Sequence, residues 1–502
     1  MINPLISLQS NLINGSYLNL SLSAPDYQKR TPLNICIVVD VSKKFIQDIE
    51  KFAPEFQFSF EEVLTNALQP LLTPLSEFDT VSIVQTNSFL SSEPNQVSEI
   101  VFSPKEMNEE NKKLAKEFLH SIKIQSESNN TLESLQRAFG LLTGSINEST
   151  QNQSPVVILI SDVRQAKKEK NSLESLNLIN TLRELVQKNM VLEQVSINTC
   201  GISENVDSYL LLDLAKEFTG QFVYLDDFSQ PNKILSNVFA NLLTSYCTNV
   251  LLRVQLLNNL TYSTVNPVCQ LMNSTVNKEN NSIDVSAGPI QYGQTRNIIF
   301  KLSEPLNTTS TGTDAVAKVT ITVSLPSKNC IKSTQTQEIT IANLQNEKSI
   351  DELHRITFVD FLYSNIKKYE NGIQSYAISG LNRLLTTLES QSTHSTYVAE
   401  LAKLVKTHLE TTFSDSKLFY KNKNALLSLA RSQILQLESV SHPTLEIFRT
   451  KLQSYYINEI EEAHSKLPSP SPSPKKKNQR EQESFIKVKQ FEMYEMYEST
   501  RI

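Results

Sequence analysis

Two short polar clusters stand directly after apolar runs in this sequence, and each contains an aspartate beside a serine. Asp40 and Ser42 follow the first run, and Ser161 and Asp162 close the second. Carboxylate and hydroxyl oxygens are the ligands that a hard cation such as Mg²⁺ takes in proteins. Two lysines, the second of them Lys44, follow the first cluster at once, where a cation site would need more oxygen. The spacing leaves two alternatives, a working cation site or the shell of one.

Residues 31–245 contain the elements that would position these clusters, because apolar runs alternate there with amphipathic stretches. Continuous apolar strands spaced by helices predict a Rossmann-like α/β domain with a mainly parallel sheet covered on both faces. The predicted strands are 33–39, 80–86, 155–161, 193–199 and 221–225. The predicted helices lie near 60–72, 109–122, 131–143, 172–188, 207–219 and 230–245. Since ligands bind at the carboxyl ends of such strands, both clusters fall on the functional rim.

The segments on either side of this domain have a period of two, which is typical of antiparallel strands. Residues 246–345 contain several such runs separated by polar loops, and they predict an antiparallel β-sandwich. In residues 1–30, leucines alternate after an Asn14-Gly15 turn, which is the strongest local signal for a β-hairpin. An isolated hairpin is marginally stable, so we expect residues near 5–25 to join the sandwich, with the α/β domain inserted between its strands.

The last part of the chain is predicted to be helical and to end in a tethered apolar tail. Residues 349–466 fit a helical bundle, and after them alternating proline and serine followed by lysines in 467–483 predict an extended linker. The tail, residues 484–502, regains apolar and aromatic side chains, among them Phe485, Phe491, Met493, Tyr494 and Tyr497. We expect the tail to dock, either on a protein partner, which the long tether favours, or on the helices of its own chain.

Composition limits the class of protein. The 502 residues allow roughly three domains, and the net charge of −6 gives no basic surface for nucleic acid. No run of about 18 apolar residues occurs, so no membrane-spanning segment is predicted. The N-terminal residues lack the pattern of a secretory signal peptide, and the five widely spaced cysteines suit a reducing compartment. We therefore expect a cytoplasmic, intracellular protein.

Motifs that carry catalysis are missing from the sequence. It contains no H-E-x-x-H, no G-x-S-x-G and no glycine-rich phosphate loop, and the whole chain has only ten glycines. The six histidines do not form a metal-ligand motif, and single histidines in helical patterns are usually surface or partly buried residues. The sequence predicts a protein that is not an enzyme.

Residues 31–245 resemble the von Willebrand factor type A family. The likeness rests on "NICIVVDVSKK", which is similar to the family's apolar strand ending in D-x-S-x-S, and on "PVVILISDV", which is similar to a later strand ending in aspartate. It rests also on "VSINTCGISENVDSYLLLDLAKEFTGQFVYL", which resembles the late strand, helix and closing strand of the family. "GPIQYGQTRNIIFKL" and "AVAKVTITVSL" resemble the β-sandwich of intracellular multidomain members, in which a helical region follows. The resemblance implies the same order of domains here.

Family members with an intact metal-ion-dependent adhesion site hold Mg²⁺ or Mn²⁺ through three loops. The resemblance assigns Asp40 and Ser42 to the first loop and Asp162 to the third. For the second loop, direct matching of the motif gives Thr131 as the ligand, whereas alignment through the helix that follows gives Asn129. Both assignments stay open.

Lys44 makes the implied site degenerate, because it stands where the motif has its second serine. Its ammonium could pair with the carboxylates and replace the charge of the ion, so Mg²⁺ is a candidate cofactor of a weakened site. The resemblance implies a non-enzymatic protein-interaction scaffold, or a structural subunit of a large assembly, with a protein partner bound at this rim. Two alternatives stay open: a cation-dependent binding module, and the substrate-recruiting subunit of a ubiquitin ligase complex whose catalytic module is another chain.

Overall fold

The structure of the protein is a computed structural model. It describes residues 6–26, 30–52, 59–87, 98–124, 130–144, 153–163, 171–225, 231–306, 314–325, 332–346, 351–439 and 442–467. The strands in this part of the chain are β1 (Ser7–Ile13), β2 (Tyr17–Ser23), β3 (Leu33–Asp40), β4 (Thr80–Asn87), β5 (Ser98–Glu106), β6 (Ser154–Ser161), β7 (Ser196–Ile202), β8 (Phe222–Leu225), β9 (Asn249–Leu256), β10 (Asn273–Asn277), β11 (Ser282–Gly288), β12 (Thr295–Lys301), β13 (Ala315–Ser324), β14 (Lys332–Thr340) and β15 (Gln345–Asn346). The α-helices are α1 (Lys43–Phe52), α2 (Phe60–Leu68), α3 (Glu109–Ser121), α4 (Thr131–Gly144), α5 (Asn171–Gln187), α6 (Ser208–Glu217), α7 (Pro231–Leu243), α8 (Asp351–Glu370), α9 (Gln374–Gln391), α10 (Thr396–Thr411), α11 (Ser416–Leu435) and α12 (Lys451–Ser465).

A sheet with the strand order β5-β4-β3-β6-β7-β8 forms the centre of the α/β domain. Its neighbouring strands are parallel from β4 to β8, and all eight residues of β3 are buried. Strands that are buried on both faces need apolar side chains throughout, which explains the uninterrupted apolar runs. The predicted mixed α/β class with a mainly parallel sheet is confirmed.

The sequence prediction missed two elements of this domain. The helix α1 begins at Lys43, so the lysines that follow Asp40 belong to a helix. The strand β5 runs antiparallel to β4 at the edge of the sheet. It contains Pro104, which argues against a strand in the sequence, but an edge strand tolerates proline because one side has no partner. The strand β7 begins at Ser196, later than predicted, because Leu192–Gln194 forms a short 3₁₀ helix.

Two smaller sheets have the strand orders β12-β2-β1-β15 and β10-β11-β9-β13-β14. β1 and β2 form a hairpin whose turn residues Asn14 and Gly15 have φ angles of 50° and 69°, the left-handed conformation that a tight hairpin turn requires. β2 pairs antiparallel with β12, from Tyr17 opposite Lys301 to Ser23 opposite Thr295. The hairpin therefore shares a sheet with a strand from residues 246–345.

The parallel sheet separates two hydrophobic clusters. Cys36 and Val38 on β3 belong to one cluster, and Ile35 and Ile37 belong to the other, because successive side chains of a strand point to opposite faces. The first cluster continues into both smaller sheets and into α8, α9, α10 and α11. The second cluster is closed by α2, α3, α7 and α12.

The helix α12 packs differently from the prediction. The sequence groups it with the other helices of residues 349–466, but its buried Tyr456, Ile457 and Ile460 belong to the cluster that also contains the buried side chains of α7. At its start, Gln453 Nε2 donates hydrogen bonds to Asn241 Oδ1 at the end of α7 at 2.6 Å and to Gln291 Oε1 at 2.7 Å. An apolar stripe predicts that a helix is buried on one side, but it does not say which surface it covers.

Two further expectations concern membranes and the C-terminal region. Within the described residues, we find no helix with the length and apolar character needed to cross a membrane. The predicted linker, apart from Leu467, and the whole predicted tail with Phe485, Phe491, Met493, Tyr494 and Tyr497 lie outside the described residues.

Candidate functional site

Strand ends and helix starts bring the predicted site residues together at one edge of the parallel sheet. Asp40 is the last residue of β3, and Asp162 directly follows β6. The register of these strands sets Asp40 opposite Ser161, so the two aspartates leave neighbouring strands close to one level. Thr131 is the first residue of α4, and Ser42 directly precedes α1. The carboxyl ends of β3 and β6 and the N-termini of α1 and α4 thus enclose one polar cluster.

Asp40 accepts hydrogen bonds from several groups around its carboxylate. Thr131 Oγ1 donates to Oδ2 at 2.8 Å, and the backbone N–H of Asn130 donates to Oδ1 at 3.3 Å. The hydroxyls of Ser161 and Ser134 lie 3.4 Å from Oδ2 and 3.5 Å from Oδ1. The carboxylate therefore lies against the first turn of α4, where the helix dipole and free amide groups favour negative charge.

Asp162 holds the loop that leads from β3 into α1. The backbone N–H of Ser42 donates to Asp162 Oδ1 at 3.0 Å, and Ser42 Oγ donates to Oδ2 at 2.7 Å. Ser42 Oγ in turn accepts a hydrogen bond from the N–H of Phe45 at 3.3 Å. One carboxylate therefore fixes both the conformation of Ser42 and the start of the helix that follows.

Both carboxylates are almost inaccessible to solvent, with Asp40 1% and Asp162 0% exposed. Burial raises the pKa of Asp40 to about 6, and the negative charge of Asp162 acts in the same direction, while the hydrogen bond from Thr131 lowers it. None of the groups that act on this carboxyl most strongly is a cation. A carboxylate in such surroundings is stabilised when a positive charge binds beside it.

The two open positions of the site differ in what the structure says of them. Lys44 lies in the first turn of α1 with an exposed side chain, and its charge is not among the groups that act most strongly on the carboxyl of Asp40. Asn129 lies outside the described residues, whereas Thr131 contacts Asp40 directly. The choice between Asn129 and Thr131 as the metal ligand of the second loop stays open.

The sequence prediction missed one hydroxyl of this cluster. Ser134 lies three residues after Thr131 on α4, so both side chains face the same side of the helix. Its hydroxyl is 3.5 Å from Asp40 Oδ1 and donates to the carbonyl oxygen of Asn130 at 2.9 Å. The T-x-x-S spacing in the sequence was a signal that could have identified it.

The groups that converge here fit a hard divalent cation in type. Asp40, Asp162, Ser42 and Thr131 offer only oxygen, which Mg²⁺ requires in near-octahedral geometry. No group of three or more histidine, cysteine or acidic side chains that could hold a metal ion occurs among the described residues. Hydroxyls and water would therefore have to complete a shell around two carboxylates. In the structure, Thr131 and Ser42 donate their hydroxyl hydrogen bonds directly to the carboxylates.

Hydrogen bonds connect this cluster to the helical region of the chain. The N–H of Asp207 donates to the carbonyl oxygen of Val163, the residue after Asp162, at 2.6 Å. Asp207 is the N-cap of α6, and the next residue, Ser208, donates to Asn424 Oδ1 on α11 at 2.7 Å. The loop that contains Asp162 is thus joined through the start of α6 to α11.

Comparison with known proteins identifies the fold. No family model matches the sequence, and no curated protein matches it significantly. The chain is similar in structure to a von Willebrand factor type A protein from Catenulispora acidiphila, with a TM-score of 0.54 and 13% identity over 80% of this chain and 91% of that one. It is also similar to the ArnB paralog VWA2 from Sulfolobus acidocaldarius (TM-score 0.47, 13% identity, 85% and 97% of the two chains) and to the human COPII-coat protein Sec24c (TM-score 0.44, 14% identity, 82% and 60%).

The conclusion about the fold rests on the first of these similarities. At 13% identity it is a similarity of fold, and it extends over most of both chains. The protein therefore has a von Willebrand factor type A-like fold, as the sequence resemblance predicts.

Proposed function

We propose that this protein is a non-enzymatic protein-interaction scaffold or a structural subunit of a cytoplasmic assembly, and that a protein partner binds at the rim around Asp40 and Asp162. The observation that carries the proposal is the convergence of Asp40, Ser42, Thr131 and Asp162 at the carboxyl ends of neighbouring strands. This edge is where ligands bind to open α/β sheets.

Burial of the polar cluster defines its part in such an interface. The side chains of Asp40, Ser42, Thr131 and Asp162 are all buried, so they do not themselves form a broad contact surface. Their hydrogen bonds instead hold the ends of β3 and β6 and the start of α4 in fixed positions. Loops that are fixed before binding lose less conformational entropy when a partner binds.

A second candidate function, a cation-dependent binding module, is favoured by the raised pKa of Asp40 and by the oxygen donors around it. A divalent cation held by Asp40 and Asp162, with Ser42 and Thr131 as further ligands, would compensate the burial of two negative charges. An acidic side chain of the partner could complete its shell. Alternatively, the exposed Lys44 could attract the same acidic side chain directly by a charge-assisted hydrogen bond.

We also propose that the two smaller sheets form the predicted β-sandwich and that α8–α11 form the predicted helical bundle against it. Side chains from both sheets and from these helices belong to one hydrophobic cluster, which supports this arrangement. Arg355 on α8 adds a polar connection, because it donates to the carbonyl oxygen of Gln433 on α11 at 2.6 Å and to that of Asn297 on β12 at 3.3 Å.

Affinity purification with mass spectrometry tests the proposed function, using the wild type and an Asp40→Ala/Asp162→Ala variant. We expect the variant to lose at least one partner that the wild type retains. A matched control, Asp314→Ala/Glu338→Ala, removes two exposed acidic side chains and should retain every partner. If the rim variant is folded and retains all partners, the proposal is wrong.

A chelator separates the two candidate modes in the same experiment. If wild type loses the rim partner when the chelator is present and binds it again in excess Mg²⁺, the cation-dependent module is favoured. Retention in the chelator would favour the metal-independent scaffold, because Lys44 and the surrounding loops need no ion.

A further inference from the structure

An exposed apolar patch surrounds the turn between α8 and α9 and the N-terminus of α11. Its apolar side chains are Ile373, Tyr376 and Tyr420, exposed by 46%, 72% and 47%. A hydrogen bond of 3.2 Å from Gln374 Nε2 to Ser416 Oγ joins the first residues of α9 and α11. We call these three side chains, with the lysines that border them, the α9/α11 patch.

The patch stands on packed aromatic rings. Tyr369 stacks on Phe419 with 4.2 Å between the ring centroids, and the ring of Phe413 lies 5.5 Å and 5.4 Å from these two rings. The exposed ring of Tyr420 lies 5.4 Å from that of Phe419. Large exposed apolar side chains on a rigid base are typical of binding surfaces, because little entropy is lost when they are covered.

The charge around the patch is positive. The lysines at the end of α8 and in the first two turns of α11 are exposed, namely Lys367, Lys368, Lys417 and Lys421. The buried Lys423 is paired with Glu370, Lys367 lies 4.3 Å from the ring centroid of Tyr363, and the exposed Asp415 offsets one positive charge, which leaves a net positive charge around the patch. In a chain with a net charge of −6, this local excess of positive charge fits an acidic ligand.

A segment of the same chain has the complementary chemistry. Residues 491–498 read FEMYEMYE, in which three glutamates recur at every third position among three aromatic residues and two methionines. Aromatic and thioether side chains suit an apolar surface that contains tyrosine. The glutamates supply the negative charge that the lysines of the patch lack.

The tether that precedes the acidic segment is long enough for the segment to reach the surface of its own chain. The described residues end at 467, and residues 468–490 separate them from the acidic segment. A tether of this length spans up to about 75 Å when extended, so it reaches much of the surface of a globular chain of this size, whose diameter is roughly 60 Å. Because a tether raises the effective concentration of the segment near its own chain, docking there needs a weaker interaction than binding to a separate chain.

We propose that residues 491–498 dock on the α9/α11 patch of their own chain. The glutamates pair with the bordering lysines, and the aromatic and methionine side chains cover Ile373 and Tyr376. The sequence alone leaves a protein partner and the chain's own helices as alternatives for the tail. The positive charge of the patch favours the chain's own helices, and a tether that is long enough to reach a protein partner is also long enough to reach much of its own chain.

Zero-length carbodiimide cross-linking of the purified full chain tests this proposal, because it joins a lysine to a glutamate only when the two are in contact. An equal mixture of isotopically light and heavy chains distinguishes contacts within a chain from contacts between chains. We expect cross-links from the patch lysines to Glu492, Glu495 or Glu498, predominantly within one chain. The absence of such cross-links overturns the proposal, and so does their occurrence only between light and heavy chains, which would make a second copy the occupant.

A pair of matched variants checks that the apolar part of the patch is responsible. Ile373→Ser/Tyr376→Ser leaves every lysine and glutamate in place and should lower the yield of these cross-links by about tenfold or more. The control Ile447→Ser/Tyr455→Ser changes an isoleucine and a tyrosine that are also exposed, by 61% and 60%, and should leave the yield unchanged. An equal yield in both variants would overturn the proposal.

Discussion

The buried carboxyl of Asp40 should make the α/β domain less stable as the pH rises through 6. Its pKa in the folded protein is about 6, against 3.8 for an ordinary aspartate, so the folded state binds the proton more tightly than the unfolded state. Such a group contributes stability that is fully present below the unfolded pKa and is lost as the pH rises through the folded pKa. The difference corresponds to about 3 kcal/mol in total, of which roughly half falls between pH 5 and pH 7.5.

Asp40→Asn removes the titrating group and isolates this contribution. Asparagine keeps only one acceptor oxygen for the hydrogen bonds from Thr131 and Asn130, and this cost applies at both pH values. The informative quantity is therefore the change of melting temperature between pH 5 and pH 7.5. This half, about 1–2 kcal/mol, corresponds to roughly 2–8 °C for a domain of about 200 residues. When the pH is raised from 5 to 7.5, we expect the melting temperature of wild type to fall by this amount more than that of the variant. Differential scanning calorimetry with a chelator present measures both changes.

Asp314→Asn is the control, because it removes an exposed aspartate and should reproduce the wild-type change with pH. Equal changes in wild type and Asp40→Asn would refute the reasoning, since Asp40 would then titrate alike in the folded and unfolded states. A larger loss of stability by wild type towards low pH would mean that a positive charge holds Asp40 ionised. If the cation-dependent mode operates, Mg²⁺ should raise the melting temperature of wild type at pH 7.5 and leave that of Asp40→Asn unchanged.

Three further substitutions have defined outcomes. Arg431→Met should lower the free energy of unfolding by about 2–4 kcal/mol in urea, because the buried guanidinium donates to three backbone carbonyls. The control Arg253→Met breaks a mostly exposed ion pair and should lower it by less than about 1 kcal/mol. Gly220→Ala should prevent normal folding, since its Cβ would lie 1.9 Å from a backbone oxygen. The control Gly140→Ala in α4 places its Cβ in open space and should raise the melting temperature slightly. A folded Gly220→Ala variant with the stability of wild type would contradict this. Lys44→Ser adds a hydroxyl and removes a positive charge, so it should tighten Mg²⁺ binding by roughly tenfold in calorimetry, and an unchanged affinity would argue against any ligand role at this position.

The centre of the α/β domain could be predicted because its signal is local. The runs that end at Asp40 and Ser161 are apolar at every position that the sheet buries on both sides, and an apolar run followed by an acid marks a strand end whatever its neighbours are. The edge strand β5 and the short helix α1 had no such signal. Pro104 interrupts the pattern of β5, and the lysines at 43 and 44 are not residues that mark the start of a helix.

The contacts of the site needed three-dimensional structure. The sequence suggested that Asp40 and Asp162 share a rim, but the hydrogen bond from Thr131 to Asp40 depends on where α4 begins, and a helix boundary is poorly defined by propensity. Ser134 could have been found from its spacing on α4. The position of α12 against α7 could not, because an amphipathic helix can cover any apolar surface of suitable shape.

The hydrogen bonds at Asp207 and Ser208 give α11 an effect on both of the surfaces proposed for binding. Asn424, which anchors the loop of Asp162 through α6, follows Tyr420 of the α9/α11 patch by one helical turn, about 6 Å along the axis. A small axial displacement of α11 would therefore change the patch and the rim together. By linkage, if docking of the tail changes the affinity of the rim for its partner, binding of the partner must change the docking of the tail by the same free energy. Ser208→Ala removes one of the hydrogen bonds to Asn424 and leaves the one from Asn424 Nδ2 to the carbonyl oxygen of Glu204, so it should weaken any coupling between the two surfaces.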